Sequence, residues 1–180
     1  MELSASLRNL VSVSIVVAVL TFAPSLARNA HAQANASGAS PAAEKEIREA
    51  TTLFYAALNS ALQGDLGPLG AVWSHRPDVS NLGGIGGRQL GWNEVRTDFQ
   101  NMARLYPAGQ ITPQDTIVVV GTDIGYSICN ETGRLRSAEG PMVNFNRRAT
   151  NIFRREDGKW KLIHHHADTT VGLSQGAPPQ

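Results

Sequence analysis

Cys129 is the only cysteine among 180 residues. No disulfide can form within the chain, so stability must come from the core, with or without a partner subunit. No nucleophile motif surrounds Cys129, which reads as a buried strand cysteine. A dominant charge is also missing. The chain has 16 Lys and Arg against 15 Asp and Glu. The pairs Arg147-Arg148 and Arg154-Arg155 alternate across strand faces instead of forming a basic stripe interleaved with aromatics, which argues against a nucleic-acid partner. No internal repeat is visible, so a solenoid or propeller is excluded. The longest apolar run, Leu10 to Ala23, is short for a membrane span and holds Ser12 and Ser14. The glycines of the Gly83–Gly87 loop lack the strand-then-helix context of a phosphate cradle and read as a flexible lid or a plain surface loop.

That N-terminal run has a different use. Arg8 precedes it, and Ala30-His31-Ala32 and Ala32-Gln33-Ala34 follow as small-residue cleavage sites. Residues 1–34 therefore read as a secretory signal peptide, and the expected location is exported, periplasmic or secreted. Residues 35–43 read as a linker and 171–180 as a disordered tail. The remainder is enough for one domain with a proper core. Losing Arg8, Arg28 and Glu2 with the leader leaves 14 basic and 14 acidic residues. A mature form bound to membrane is not expected.

Ser40-Pro41 predicts a helix start, and Ile47, Ala50, Phe54, Leu58 and Ala61 recur at helical spacing up to Gly64. A short second helix is expected over 65–73 and a short strand over 78–82. Trp92, Val95, Phe99, Met102 and Tyr106 mark a third helix. After Pro107 the period changes to two, with strands expected at 116–121 and 125–130. Helices followed by an antiparallel sheet give an α+β class.

The clearest signal is a hairpin. Two strand-like runs flank Asp157-Gly158, a dipeptide suited to a tight turn with positive φ at both centres. A two-residue turn pairs Arg155 with Trp160, Phe153 with Leu162, Asn151 with His164, Ala149 with His166 and Arg147 with Asp168. All of these would share one face, since side chains alternate with period two. Apolar bulk with polar groups at one end is the composition of a pocket wall; a half-buried sheet with a wet end has the same pattern. A bulge would swap the two sets of residues.

Phe54-Tyr55-Ala-Ala-Leu-Asn59, Gly64-Asp65, Val72-Trp73, Gly91-Trp92, Arg148-Ala-Thr150, Asp157-Gly-Lys-Trp160 and His164-His-His166-Ala-Asp168 occur in the order seen in SnoaL-like domains. The chain therefore resembles this branch of the nuclear transport factor 2-like superfamily, with the domain expected over 44–170. The resemblance implies a cone of three N-terminal helices and a curved, mostly antiparallel sheet, usually dimeric. Its members include ketosteroid isomerase, dehydratases, polyketide cyclases and the association domain of calcium/calmodulin-dependent kinase. Tyr55 matches the tyrosine that the isomerase uses as an oxyanion donor. The isomerase base would fall near Gly83, where no carboxylate stands. Ala167 replaces the arginine of the kinase module.

The resulting expectation is a homodimer with a pocket lined by Tyr55, Trp73, Asn151, Trp160, His164 and His166. It would bind a small apolar or amphipathic molecule without a cofactor. The alternative is an isomerase, dehydratase or cyclase using His164 or His166 as acid or base and Tyr55 as donor; a third reading is an oligomerisation module. Metal binding is not expected, because His164 and His166 have no evident third ligand.

Overall fold

The computed structural model describes residues 40–83 and 85–169. The expected signal peptide, the linker as far as residue 39 and the expected tail lie outside the described residues. Helix α1 spans Pro41–Leu62, so residues 41–43 of the expected linker are already helical. Ser40 caps it, its hydroxyl accepting from the Ala43 amide at 3.2 Å, and Pro41 fills the first turn where its missing N–H costs nothing. Ile47, Ala50, Thr51, Phe54, Tyr55, Leu58, Ala61 and Leu62 form its buried stripe. Helix α2 (Gly67–Val72), strand β1 (Ser80–Leu82), strand β2 (Gln89–Leu90) and helix α3 (Trp92–Leu105) follow. Strands β3 (Ala108–Val120), β4 (Ile124–Arg136), β5 (Met142–Glu156) and β6 (Lys159–Thr169) complete the chain.

The six strands form one sheet in the order β2-β1-β6-β5-β4-β3. Every pairing is antiparallel except β1 with β6. The sheet curls so that one face packs on α1, giving the α+β cone. Strands β3 and β4 run well beyond the segments expected from alternation. Two local features hide them in the sequence. A register shift between Gln114 and Ile117 breaks the period in β3. Gly133 also lets the strands close up, since a Cβ there would lie 2.0 Å from the Gln110 carbonyl oxygen. Glycine inside a strand often marks such an approach.

The hairpin turn is as expected at its corner. Asp157 has φ 49° and Gly158 φ 76°, and Glu156 pairs with Lys159, Arg155 with Trp160 and Phe153 with Leu162. Beyond that the register moves by one. Ile152 pairs with His164, Asn151 with His165, Thr150 with His166 and Arg148 with Asp168. Ile163 is the extra residue, a β-bulge in β6. The expected pairs of Asn151 with His164, Ala149 with His166 and Arg147 with Asp168 are therefore corrected. The ion pair is Arg148 with Asp168, at 2.9 Å.

Candidate functional site: a buried acid–base cluster inside the cone

The bulge decides which imidazole enters the cone. His165 is 4 % exposed and faces α1, with its ring 5.1 Å from that of Phe54. His164 and His166, both expected in the pocket, point to the opposite face. His164 Nδ1 lies 2.8 Å from the Ser80 hydroxyl, and His166 is exposed. Two further residues of the expected lining also lie elsewhere. Trp73 is core, edge-on to Phe54 and tilted against Trp92 and Phe99. Trp160 sits in an outer groove between α1 and the hairpin, with Nε1 donating to Glu46 at 2.9 Å. Tyr55 and Asn151 do lie inside, next to His165.

A row of polar side chains crosses the inner face from Ser127 on β4 through Asn151 on β5 and His165 on β6 to Asn81 on β1. All four are fully or almost fully buried, and buried polar groups must find partners. Asn151 Nδ2 donates to Ser127 Oγ at 3.2 Å and Tyr55 Oη at 3.3 Å. Its Oδ1 therefore accepts from His165 Nδ1 at 2.8 Å. That fixes the tautomer: Nδ1 carries the proton and Nε2 presents a lone pair. Thr51 Oγ1 lies 2.8 Å from the Ile47 carbonyl and 3.0 Å from Ser127 Oγ. Its one proton goes to the carbonyl, so the Ser127 hydroxyl donates to it.

Two carboxyls missed by the sequence reading complete the cluster. Glu131 on β4 is 1 % exposed and accepts from Tyr55 Oη at 2.9 Å. Its Oε1 is 3.8 Å from His165 Nε2. Burial pushes its pKa up to about 7, against the opposing pull of the Tyr55 hydrogen bond and the Arg147 charge. Burial likewise drives His165 down to about 3, helped by the neighbouring histidines, so it stays neutral. Burial and the neighbouring Glu131 hold the Tyr55 hydroxyl far above its ordinary value. Burial raises the Cys129 thiol to about 11, and its Sγ lies 3.1 Å from Tyr55 Oη. Such a thiol is no nucleophile at neutral pH.

Asp98 comes from α3, nearly buried, and accepts from Asn81 Nδ2 at 2.9 Å. Burial raises its pKa, and the Asn81 bond opposes this. Its Oδ2 is 3.5 Å from where a Cβ on Gly83 would stand. A carboxylate thus does reach the place that appeared empty at Gly83, supplied by a helix instead of the strand end. The alternation of β4 could have flagged Glu131 as inward; Asp98 falls one position from the apolar stripe of α3 and gave no signal.

These groups surround a small cavity lined by Asn81, Asp98, Glu131 and His165 on one side and Leu58, Phe99, Met102, Ile111 and Phe145 on the other; Gly83 and Ile85 also border it. Its volume is about 20 Å³, room for one water molecule. Among the described residues no group of three or more His, Cys, Asp and Glu is arranged to hold a metal ion.

A curled sheet around a long helix, with a buried acid–base cluster at its centre, defines a cone-type α+β domain. The chain belongs to the SnoaL-like domain family, whose model matches residues 47–171. Solved structures share the fold. One is a candidate dehydratase of the nuclear transport factor 2-like family from Streptomyces avermitilis, 24 % identical, covering 73 % of this chain and 99 % of its own, with TM-score 0.65. Another is a nuclear transport factor 2-like superfamily protein from Salmonella enterica, 14 % identical, covering 77 % of this chain and 100 % of its own, with TM-score 0.67. A third is a candidate calcium/calmodulin-dependent protein kinase type II association domain from Thiobacillus denitrificans, 21 % identical, covering 69 % and 94 %, with TM-score 0.57. No curated protein matches the chain.

Proposed function

We propose that this chain is a cofactor-independent acid–base enzyme of the lyase or isomerase kind, acting on a small apolar or amphipathic molecule inside the cone. One observation carries the reading. Glu131 is a fully buried carboxyl held near neutrality, bonded to a neutral tyrosine hydroxyl and facing the lone pair of a neutral histidine. Groups tuned toward working pH inside a cavity are what proton transfer needs. Two carboxyls in different surroundings divide the roles. Burial raises the Asp98 carboxyl too, but it is less buried than Glu131 and accepts from the Asn81 amide, which opposes that rise, so Asp98 is the base. Glu131 is the acid, with the Tyr55 hydroxyl holding its orientation.

The smallness of the cavity favours a second reading, a binding domain without turnover for a compact ligand. Incubating the purified protein in D2O with a panel of cyclic ketones and β-hydroxy ketones separates the two. The enzyme reading expects solvent deuterium or loss of water in at least one substrate by NMR, reduced a hundredfold or more in Glu131→Gln. A turnover that survives this substitution unchanged removes Glu131 from the mechanism.

The reading includes export through the N-terminal signal and a homodimer. Support for the dimer comes from the sheet face away from α1. There Ile117, Val119 and Ile128 are exposed beside half-buried Tyr126 and Ile152. Exposed apolar stripes of this kind mark association surfaces. N-terminal sequencing of the secreted product tests the first part; an intact Met1 in the mature protein refutes it.

A further inference from the structure

Glu131 is 1 % exposed, yet as an acid it must regain a proton after every turnover. Its neighbours offer few routes. The Tyr55 hydroxyl leads only to Cys129 and Asn151, both buried. Arg147, opposite Glu131 in the strand pairing, keeps its proton at any working pH. The remaining side is the small cavity, whose polar lining is Asn81, Asp98, Glu131 and His165. Asn81 is fully buried there, and its Oδ1 has no partner. His165 Nε2 and Glu131 Oε1 stand 3.8 Å apart, too far for a direct hydrogen bond and close enough for one water to bridge. The volume of about 20 Å³ admits a single water and nothing larger. Asp98 has a second property. Among the described residues it alone lines both this cavity and the outer cleft beside α3 that runs past Arg88, Glu94 and Asn101.

We propose that the cavity binds one water molecule, and that this water relays protons between Asp98 and Glu131, with Asp98 as the exchange point to solvent. The inference rests on the acid–base reading above and supplies its reset step. Water matches the lining. Its two protons go to Asn81 Oδ1 and His165 Nε2, and a lone pair accepts from the protonated Glu131 carboxyl. Leaving Asn81 Oδ1 unpaired would carry the full cost of a buried acceptor. Proton transfer by the roles assigned above ends with Asp98 holding the proton taken from carbon and Glu131 ionised. In the reset, the Asp98 O–H bond breaks as its proton joins the water oxygen, and a water O–H bond breaks as that proton joins Glu131. Both carboxyls return to their starting forms and the water is unchanged, so no outside acid is consumed. The Asn81 amide, 2.9 Å from Asp98 Oδ2, holds that carboxyl at the cavity wall.

Two measurements on the resting protein, with no substrate present, test this separately from turnover. The first is the water–methyl Overhauser effect in NMR of the native protein. Cross-peaks with the sign of a long-lived complex are expected at Leu58 and Ile111, which line the cavity and are shielded from bulk solvent. Their absence overturns the water site and the relay with it. The second follows proton exchange at the 13C-labelled Glu131 carboxyl by relaxation dispersion near pH 7, where that group titrates. A carboxamide cannot pass a proton on, so Asp98→Asn should slow this exchange about tenfold or more while the water cross-peaks remain. Exchange as fast in Asp98→Asn as in the native protein overturns the relay and leaves the water site standing.

Discussion

Replacing Glu131 with glutamine should make the protein more stable, and only above a defined pH. The side chain keeps an oxygen to accept from Tyr55 and carries no charge at any pH, so it imitates the protonated acid. In the native protein the folded carboxyl titrates near pH 7 against an ordinary value of 4.5. Below pH 4.5 it is protonated in both folded and unfolded chains, and burial opposes no charge. Between 4.5 and 7 the unfolded chain releases the proton and the folded chain keeps it, so stability falls as pH rises. Above 7 the carboxylate is ionised in the core and the loss is complete. At 1.36 kcal/mol for each pH unit between the two values, this comes to about 3 kcal/mol. For a domain of this size that is a difference of about 10 °C in Tm. His165 works in the opposite direction: its folded value of about 3 lies below the ordinary 6.5, so its contribution is present above 6.5 and lost as pH falls toward 3. Because His165 is common to both proteins, the difference between them isolates Glu131. Thermal unfolding from pH 4 to 9 should show near-coincident Tm values at the acid end and a gap that opens in favour of Glu131→Gln up to pH 7. Parallel curves, or a gap opening the other way, would refute the assignment of a buried, near-neutral carboxyl.

Asn151→Ala should cost about 2–4 kcal/mol, because it strands the His165 N–H and removes a donor from both Ser127 and Tyr55; a loss under 1 kcal/mol in urea unfolding would contradict the network. Gly83→Ala places a methyl 2.9 Å from Asn81 Nδ2 and against Asp98, so it should cost about 1–3 kcal/mol; an unchanged midpoint in urea unfolding would show that the Asn81–Asp98 pair yields freely. Ile128→Lys on the outer face should give a monomer by light scattering while changing monomer stability by about 0.5 kcal/mol or less. A wild-type protein that is itself monomeric at tens of micromolar rejects the sheet-face dimer.

Much of the architecture can be read from local chemistry. The α1 stripe, the Ser40-Pro41 start and the Asp157-Gly158 corner each have a near-neighbour cause, and each appears where that cause puts it. The position of the site residues is less legible, because it depends on one bulge. Alternation assigns faces only when inward and outward residues differ in character, and three consecutive histidines offer no contrast. What selects the register is tertiary: β1 lies parallel to β6, setting Ser80 beside His164 and Asn81 beside His165. Trp73 also bridges to Leu162 just before the extra residue. Glu131 and Asp98 were missed for a different reason. A lone carboxyl in a strand or helix reads as solvated until the elements that bury it are known.

The bulge at Ile163 has a consequence for how the chain reaches this state. A nascent strand displaced by one position would still tuck a ring of the same size, polarity and basicity under Phe54, so collapse alone cannot reject the wrong alignment. Discrimination falls to the Arg148–Asp168 clamp and the Ser80–His164 contact at the strand's outer side. Proofreading of the buried interior is thereby delegated to groups that never touch it.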